Sequence, residues 1–288
     1  MKTFSIVGAG RLGTALGAAL ARRGWLAGAI VDRDARAARE SRRIIGRGRA
    51  STSYAAAAKA GGTVIIAVPD DAVGGAAAAL ARAPGSWAGR TVVHTSGLLP
   101  AGVLAPLAAR GAWVASLHPV QSFSRKDIPP SIFAGITWGL EGDAAAFEEA
   151  EAIVRALRGN ILLLSAMNKA VYHAACTLAS NALVALEWTA ANVLGKAGVP
   201  EEDAPGMLGP LVQGTLQNVK SSGLEKALTG PVARGDVATV RKHLAALEGD
   251  PAAREVYAVL GKQVLRLAER RGLPQGRVRA LRRLLEGR

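Results

Sequence analysis

Lys2 to Val7 reads as a short apolar strand, and Gly8-Ala9-Gly10-Arg11-Leu12-Gly13 follows it directly before a helix-like run from Thr14 to Ala21. This order constrains the fold more than any other feature, because each glycine has a separate physical task. Gly8 permits a tight turn, Gly10 lets the backbone approach a pyrophosphate, and Gly13 lets the helix pack closely on the strand. The helix start, at Arg11 and Leu12, offers free N–H groups and a positive dipole end to an anion. Leu26 to Val31 reads as a second strand ending at Asp32, about twenty residues past the glycines, where a carboxylate would hydrogen-bond a ribose 2′-hydroxyl. The rival reading is a glycine turn in an α/β domain that binds no nucleotide.

Asp32 favours NAD, since a carboxylate repels a 2′-phosphate. Arg33, Arg36 and Arg39 follow it and provide either guanidinium forks for that phosphate or a solvated helix face. The sequence therefore indicates NAD(P) and leaves NADP versus NAD undecided.

The pattern downstream alternates. Thr63 to Pro69 is a continuous apolar run, as in a strand buried on both faces, and Asp70 and Asp71 end it. Further strands are expected at Thr91–His94, Trp113–Leu117, Ala134–Gly139 and Asn160–Ser165, with a helix over Asp143–Arg158. Alternation of this kind predicts parallel pairing and an open doubly wound sheet with its site at the strand C-termini. From Ala166 onward only helical periodicity and turn signals remain. The expectation is an α/β protein: an N-terminal doubly wound Rossmann domain over 1–165 and an all-helical domain over 166–288.

At 288 residues, half of them hydrophobic, the chain can bury a large core. Its one cysteine, Cys176, cannot form an internal disulfide, and its start lacks the succession of a signal peptide, so a cytoplasmic location is expected. The most apolar stretch, Val171 to Leu194, is interrupted by His173, Asn181, Glu187 and Asn192, and reads as a buried helix rather than a membrane span. Its length calls for more cover than one small domain provides, which predicts a homodimer through the helical domain. The net charge of +14 would suit a polyanion, but aromatics make up only 4% and none interleaves with the basic residues Arg277, Arg279, Arg282, Arg283 and Arg288. No nucleic-acid, membrane or metal partner is expected; a basic surface attracts small acidic metabolites.

Three places could carry chemistry. His94-Thr95-Ser96-Gly97 ends a strand and offers a hydroxyl, or else a turn held by a local Ser/Thr hydrogen bond. Leu117-His118-Pro119 places an imidazole after the next strand, as a substrate contact or a structural histidine. The strongest candidates share one helix: Lys169 and His173 are four residues apart and project from one face. A lysine among alanines costs several kcal/mol to bury unless something requires it. General-acid work is such a requirement, and snorkelling to solvent is the alternative. Asn181 lies about 18 Å along that helix from Lys169 and serves another contact. Thr229 and Asp236 are natural helix caps, and Arg234 and Asp236 are minor site candidates.

Through Gly8 to Gly13 and the strand end Ile65-Ile-Ala-Val-Pro-Asp70, the N-terminal half resembles the Rossmann domain of the 3-hydroxyacid dehydrogenase, ketopantoate reductase and pyrroline-5-carboxylate reductase superfamily. The resemblance implies cofactor contacts at Val68 and Pro69. Through His94-Thr-Ser-Gly97, Leu117-His-Pro-Val-Gln-Ser-Phe123, Tyr172-His-Ala-Ala175, Ala179-Ser-Asn181 and Ala227-Leu-Thr-Gly-Pro231 with Ala233-Arg-Gly-Asp236, the whole chain resembles uncharacterised bacterial oxidoreductases that join this domain to a helical domain of unknown function. The superfamily's catalytic acid is a lysine on the first long helix after the Rossmann domain, often followed one turn later by asparagine. Lys169 matches the lysine, and His173 stands at the asparagine. The resemblance implies NAD(P)H-dependent reduction of a small 2-keto or imino acid, ketopantoate foremost, with Lys169 as general acid, His173 assisting it, and Ser96 and His118 positioning substrate. The alternative is a dinucleotide-sensing protein without catalysis.

Overall fold

The computed structural model describes residues 1–287. The first strands and helices are β1 (Thr3–Val7), α1 (Arg11–Arg22), β2 (Leu26–Val31), α2 (Ala35–Ile45), β3 (Arg49–Ser51), α3 (Tyr54–Lys59), β4 (Thr63–Ile66) and α4 (Asp70–Arg82). They are followed by β5 (Thr91–His94), α5 (Ala105–Ala108), β6 (Trp113–Pro119), β7 (Thr137–Gly142), α6 (Ala144–Ala156) and β8 (Asn160–Leu163). The strands form one sheet in the order β3-β2-β1-β4-β5-β6-β7-β8. The chain leaves β1 in one direction and returns through β4 in the other, so a crevice opens beyond their C-terminal ends, where such sheets bind ligands.

The central strands β4 and β5 are buried along their whole length. One apolar cluster joins α1 and α6 to one face of the sheet; a second joins α3, α4 and α5 to the other. Local chemistry sets the boundaries. Asp34 caps α2 by accepting the Arg36 N–H, and Gly46 stops it in the left-handed conformation that glycine adopts freely.

Three sequence expectations need correction. The sheet is mixed, because β6 and β7 run antiparallel. Residues 120–136 between them hold only a short 3-10 turn at Pro130–Phe133 and no crossover helix, so the chain reverses direction instead of returning parallel. The edge strand β3 was not expected, since Arg-Ala-Ser carries no apolar run. The strand expected over Ala134–Gly139 begins at Thr137, after a turn at Gly135 (φ +75°). Smaller shifts follow the same logic: β4 ends at Ile66, and Asp70 and Asp71 form the first turn of α4.

The chain then forms α7 (Lys169–Lys196), α8 (Ala204–Ala227), α9 (Pro231–Arg234), α10 (Val237–Ala246), α11 (Pro251–Arg270) and α12 (Gln275–Leu285). Two compact units divide at Leu178/Ala179, so the first turns of α7 belong with the sheet. The second unit has its own core from α9 to α12, including Val232, Val240, Leu244, Leu265 and Leu281. Asp236 and Asp250 cap α10 and α11; Thr229 caps nothing, because the cap position of α9 is Gly230, which offers no side chain.

The stretch expected to be a buried helix is not buried within this chain. In α7 only Lys169 is buried, while Val184 and Trp188 are exposed; in α8 only Ala204 is buried, while Met207, Leu211 and Leu224 are exposed. Among the described residues no helix is long and apolar enough to cross a membrane.

Candidate functional site

The first part of the site is a cleft of about 400 Å³ at the crevice, lined by Gly8, Gly10, Asp32, Arg33, Val68 and Pro69 together with Thr52, Tyr54 and Asp71. Gly8 has φ +105°, and a Cβ there would lie 2.5 Å from the Ala67 carbonyl oxygen. A Cβ on Gly13 would lie 2.1 Å from the Gly8 oxygen, whereas one on Gly10 would meet nothing within 4 Å. The loop is thus packed hard on the protein side and open on the cleft side. No side chain caps α1, and its first backbone bond runs from the Thr14 N–H to Gly10. The N–H groups at Arg11 and Leu12 therefore lack helical partners, although neither side chain lines the cleft. This cradle fits the pyrophosphate of a dinucleotide.

Asp32 lines the cleft and also accepts from the protein's own backbone. One carboxylate oxygen accepts the Ala9 N–H at 2.7 Å and the other accepts the Asp34 N–H at 3.0 Å. Arg33 faces the cleft, while Arg36 and Arg39 line a separate groove with Glu40, Arg43 and Lys126.

The second part is a polar row in an otherwise apolar sheet. His94 pairs with Ser116 across β5 and β6, and Ser116 pairs with Glu141 across β6 and β7. His118, two residues past Ser116, projects to the same face. Lys169 is 1% exposed, and its ammonium donates to the Ser96 carbonyl at 3.1 Å and to the Ser116 hydroxyl. Burial pulls its pKa down from 10.5 to about 8, against the opposing pull of the Glu141 and Asp70 carboxylates. Lys169 is therefore a buried lysine and does not snorkel.

His94 is a structural residue. Its Nδ1 accepts the Ser96 N–H at 3.2 Å and its Nε2 lies 3.3 Å from the Pro100 oxygen, which fixes the tautomer with hydrogen on Nε2. Burial and the nearby Lys169 charge hold its pKa at about 4. The Ser96 hydroxyl accepts the N–H groups of Leu98 and Leu99, so this residue meets Lys169 through its carbonyl and not its side chain.

His118 and His173 stand edge to face with ring centroids 5.9 Å apart, and the Tyr172 hydroxyl lies 2.8 Å from His118 Nδ1. Burial, then the charges of His173 and Lys169, lower the His118 pKa to about 4; burial raises that of Tyr172. Two glycines make room for this group. A Cβ on Gly97 would lie 2.5 Å from His173 Cδ2, and one on Gly139 would lie 2.8 Å from the Tyr172 hydroxyl oxygen.

Lys169, His118 and His173 thus come together as the sequence indicates. Ser116, Glu141, Tyr172 and the two glycines were not anticipated as site residues. Alternation along β6 could have found Ser116; Glu141 required the antiparallel register. Asn181, Arg234 and Asp236 belong to the second unit: Asn181 is exposed and accepts the Ser180 hydroxyl, and Asp236 is occupied as a helix cap. Among the described residues no group of His, Cys, Asp and Glu could hold a metal ion.

Residues 2–119 match the Rossmann-like domain family, and residues 136–264 match a domain of unknown function, DUF2520. No curated protein matches the chain. A Bacteroides fragilis protein, provisionally described as an NADP oxidoreductase, is 22% identical with a TM-score of 0.74, over 92% of this chain and 98% of that one. A Thermotoga maritima protein is 26% identical with a TM-score of 0.72, over 93% and 99%. The reductive aminase of Aspergillus terreus, solved with NADPH and ethyl-5-oxohexanoate, is 22% identical with a TM-score of 0.66, over 94% and 95%. These likenesses establish the fold of the whole chain.

Proposed function

We propose that the chain is an NADPH-dependent reductase of a C=O or C=N bond in a small acidic metabolite, a 2-keto or imino acid, with ketopantoate the first to test. The observation that carries this is the buried Lys169 ammonium and its setting. Asp70, within electrostatic reach of it, lies between two residues that line the dinucleotide cleft, Pro69 and Asp71. A buried cation is costly, and a proton donor beside a nicotinamide is a reason to keep one. The bound cofactor would supply a hydride. Lys169 would donate its proton to the substrate oxygen or nitrogen next to the carbon being reduced, and would recover a proton from water afterwards. His118, neutral at working pH, contributes a polar contact without competing for the proton.

NADPH is favoured over NADH on local chemistry. Arg33 and Thr52 line the cleft and supply a guanidinium and a hydroxyl for a 2′-phosphate, while Asp32 beside them accepts two backbone N–H groups and keeps lone pairs for a ribose hydroxyl. The relatives solved with NADPH or NADP+ support the same reading. The direct test is absorbance at the nicotinamide band with NADPH and a panel of 2-keto acids and imines. Oxidation that depends on one substrate class supports the proposal; tight binding without oxidation across the panel favours a sensor.

The pH dependence follows from Lys169. Its acid form acts, so turnover should stay level below about pH 8 and fall roughly tenfold per unit above it. A pH-rate profile of kcat/KM checks this, and a flat profile through pH 9.5 contradicts the role.

We also propose that a second copy of the chain covers the exposed apolar residues of α7 and α8, since surface of this kind is rarely left to water. Sedimentation should give twice the 29.6 kDa chain mass at micromolar concentration; a monomer there would contradict it.

A further inference from the structure

We propose that Tyr172 is a positioning residue that fixes the tautomer of His118, so that the His118 Nε2–H points over Gly97 as the donor that orients substrate. This rests on the reductase reading above for its consequence, but not for its geometry.

The Tyr172 hydroxyl lies 2.8 Å from His118 Nδ1, and one turn further along α7 the same hydroxyl interacts with Cys176. An imidazole nitrogen is a strong acceptor, a phenol a strong donor, and a thiol weak in both roles. The pairing that uses imidazole and phenol best sends the phenol hydrogen to Nδ1. A neutral imidazole that accepts at Nδ1 carries its own hydrogen on Nε2.

A Cβ on residue 97 would lie 2.9 Å from Nε2 and 2.5 Å from His173 Cδ2, so any residue but glycine there would press on both rings. Among the described residues Nε2 has no hydrogen-bond partner. Gly139, opposite His118 in the β6–β7 register, supplies the matching gap for the Tyr172 hydroxyl. Gly97, in the loop after β5, and Gly139, on β7, thus both make room for the His118–Tyr172 pair. The site then offers two donors of different kind: the Lys169 ammonium for the reacting atom, and the uncharged His118 Nε2–H for a second acceptor such as a carboxylate oxygen. A 2-keto or imino acid has both acceptors on adjacent carbons.

The test is a double-mutant cycle with a spectroscopic readout. His118→Gln places an amide N–H near the Nε2 position and needs no partner to orient its hydrogen. Tyr172→Phe should raise KM about tenfold with kcat within about twofold in the native background, and change KM less than about twofold in the His118→Gln background. In spectra of 15N-histidine-labelled protein, the signal lost in His118→Gln should report an Nε2-protonated ring, and Tyr172→Phe should convert it to a mixture of tautomers. Thermal melts identify any variant that fails to fold. An equal KM penalty in both backgrounds, or a native ring protonated on Nδ1, overturns the proposal. If no substrate is turned over, the reductase reading fails while the spectra still decide the tautomer.

Discussion

Replacing Lys169 with methionine is expected to lower kcat about 100- to 10,000-fold while leaving NADPH affinity unchanged. The ammonium is the only part of the side chain doing chemistry, and methionine fills similar space without a proton to give. Stability should move the other way. The folded protein holds Lys169 at a pKa of about 8 against 10.5 for a free lysine, so below pH 8 folding carries the cost of a buried charge. In the native chain that cost is relieved as pH rises from about 8 towards 10.5; in Lys169→Met it is absent. The Ser96 carbonyl is not orphaned, because the Ser116 hydroxyl still donates to it at 3.2 Å. A variant with unchanged or raised melting temperature and lost turnover would mark Lys169 as kept for function. Lys169→Arg should not rescue, since a guanidinium does not release its proton. Full activity in Lys169→Met would remove the lysine from the mechanism, and loss of folding with activity would make it structural.

Gly13→Ala is expected to cost at least about 3 kcal/mol of stability and to abolish dinucleotide binding. The added carbon would lie 2.1 Å from the Gly8 oxygen, 3.1 Å from Ile6 Cγ2 and 3.2 Å from Ala67 Cβ. Two of these belong to the buried strand under the loop and its turn, so nothing flexible can yield. Gly10→Ala is the contrasting substitution: its Cβ enters open space, so folding should survive while the cofactor loses its close approach to the backbone. Urea denaturation and dinucleotide titration on the same samples check both. Equal stability of the two variants would contradict the division of labour among the glycines.

The parts of this architecture written in local sequence were legible, and those set by long-range register were not. Gly8, Gly10 and Gly13 could be assigned because turn, approach and packing demands fall within six consecutive residues. Lys169 and His173 could be paired because helical pitch alone puts them on one face. Glu141 could not be placed beside Ser116 without knowing that residues 120–136 turn the chain back antiparallel, which no periodicity reports. β3 is three residues at a sheet edge, and its polar surface resembles a loop. Asp32 lines the cleft, and its further bond to the Ala9 N–H at 2.7 Å depends on how the glycine loop folds, which no spacing reports. The apolar run of α7 read as buried because its composition is that of a core helix, yet in this chain only Lys169 of it is buried.

The most direct test of the account is a fluorescence titration of the purified chain with NADPH and NADH in parallel. It predicts saturable binding of NADPH, tighter than that of NADH, and loss of that preference in Arg33→Ala. No binding of either dinucleotide would contradict the reading of Gly8 to Gly13, and with it the reductase.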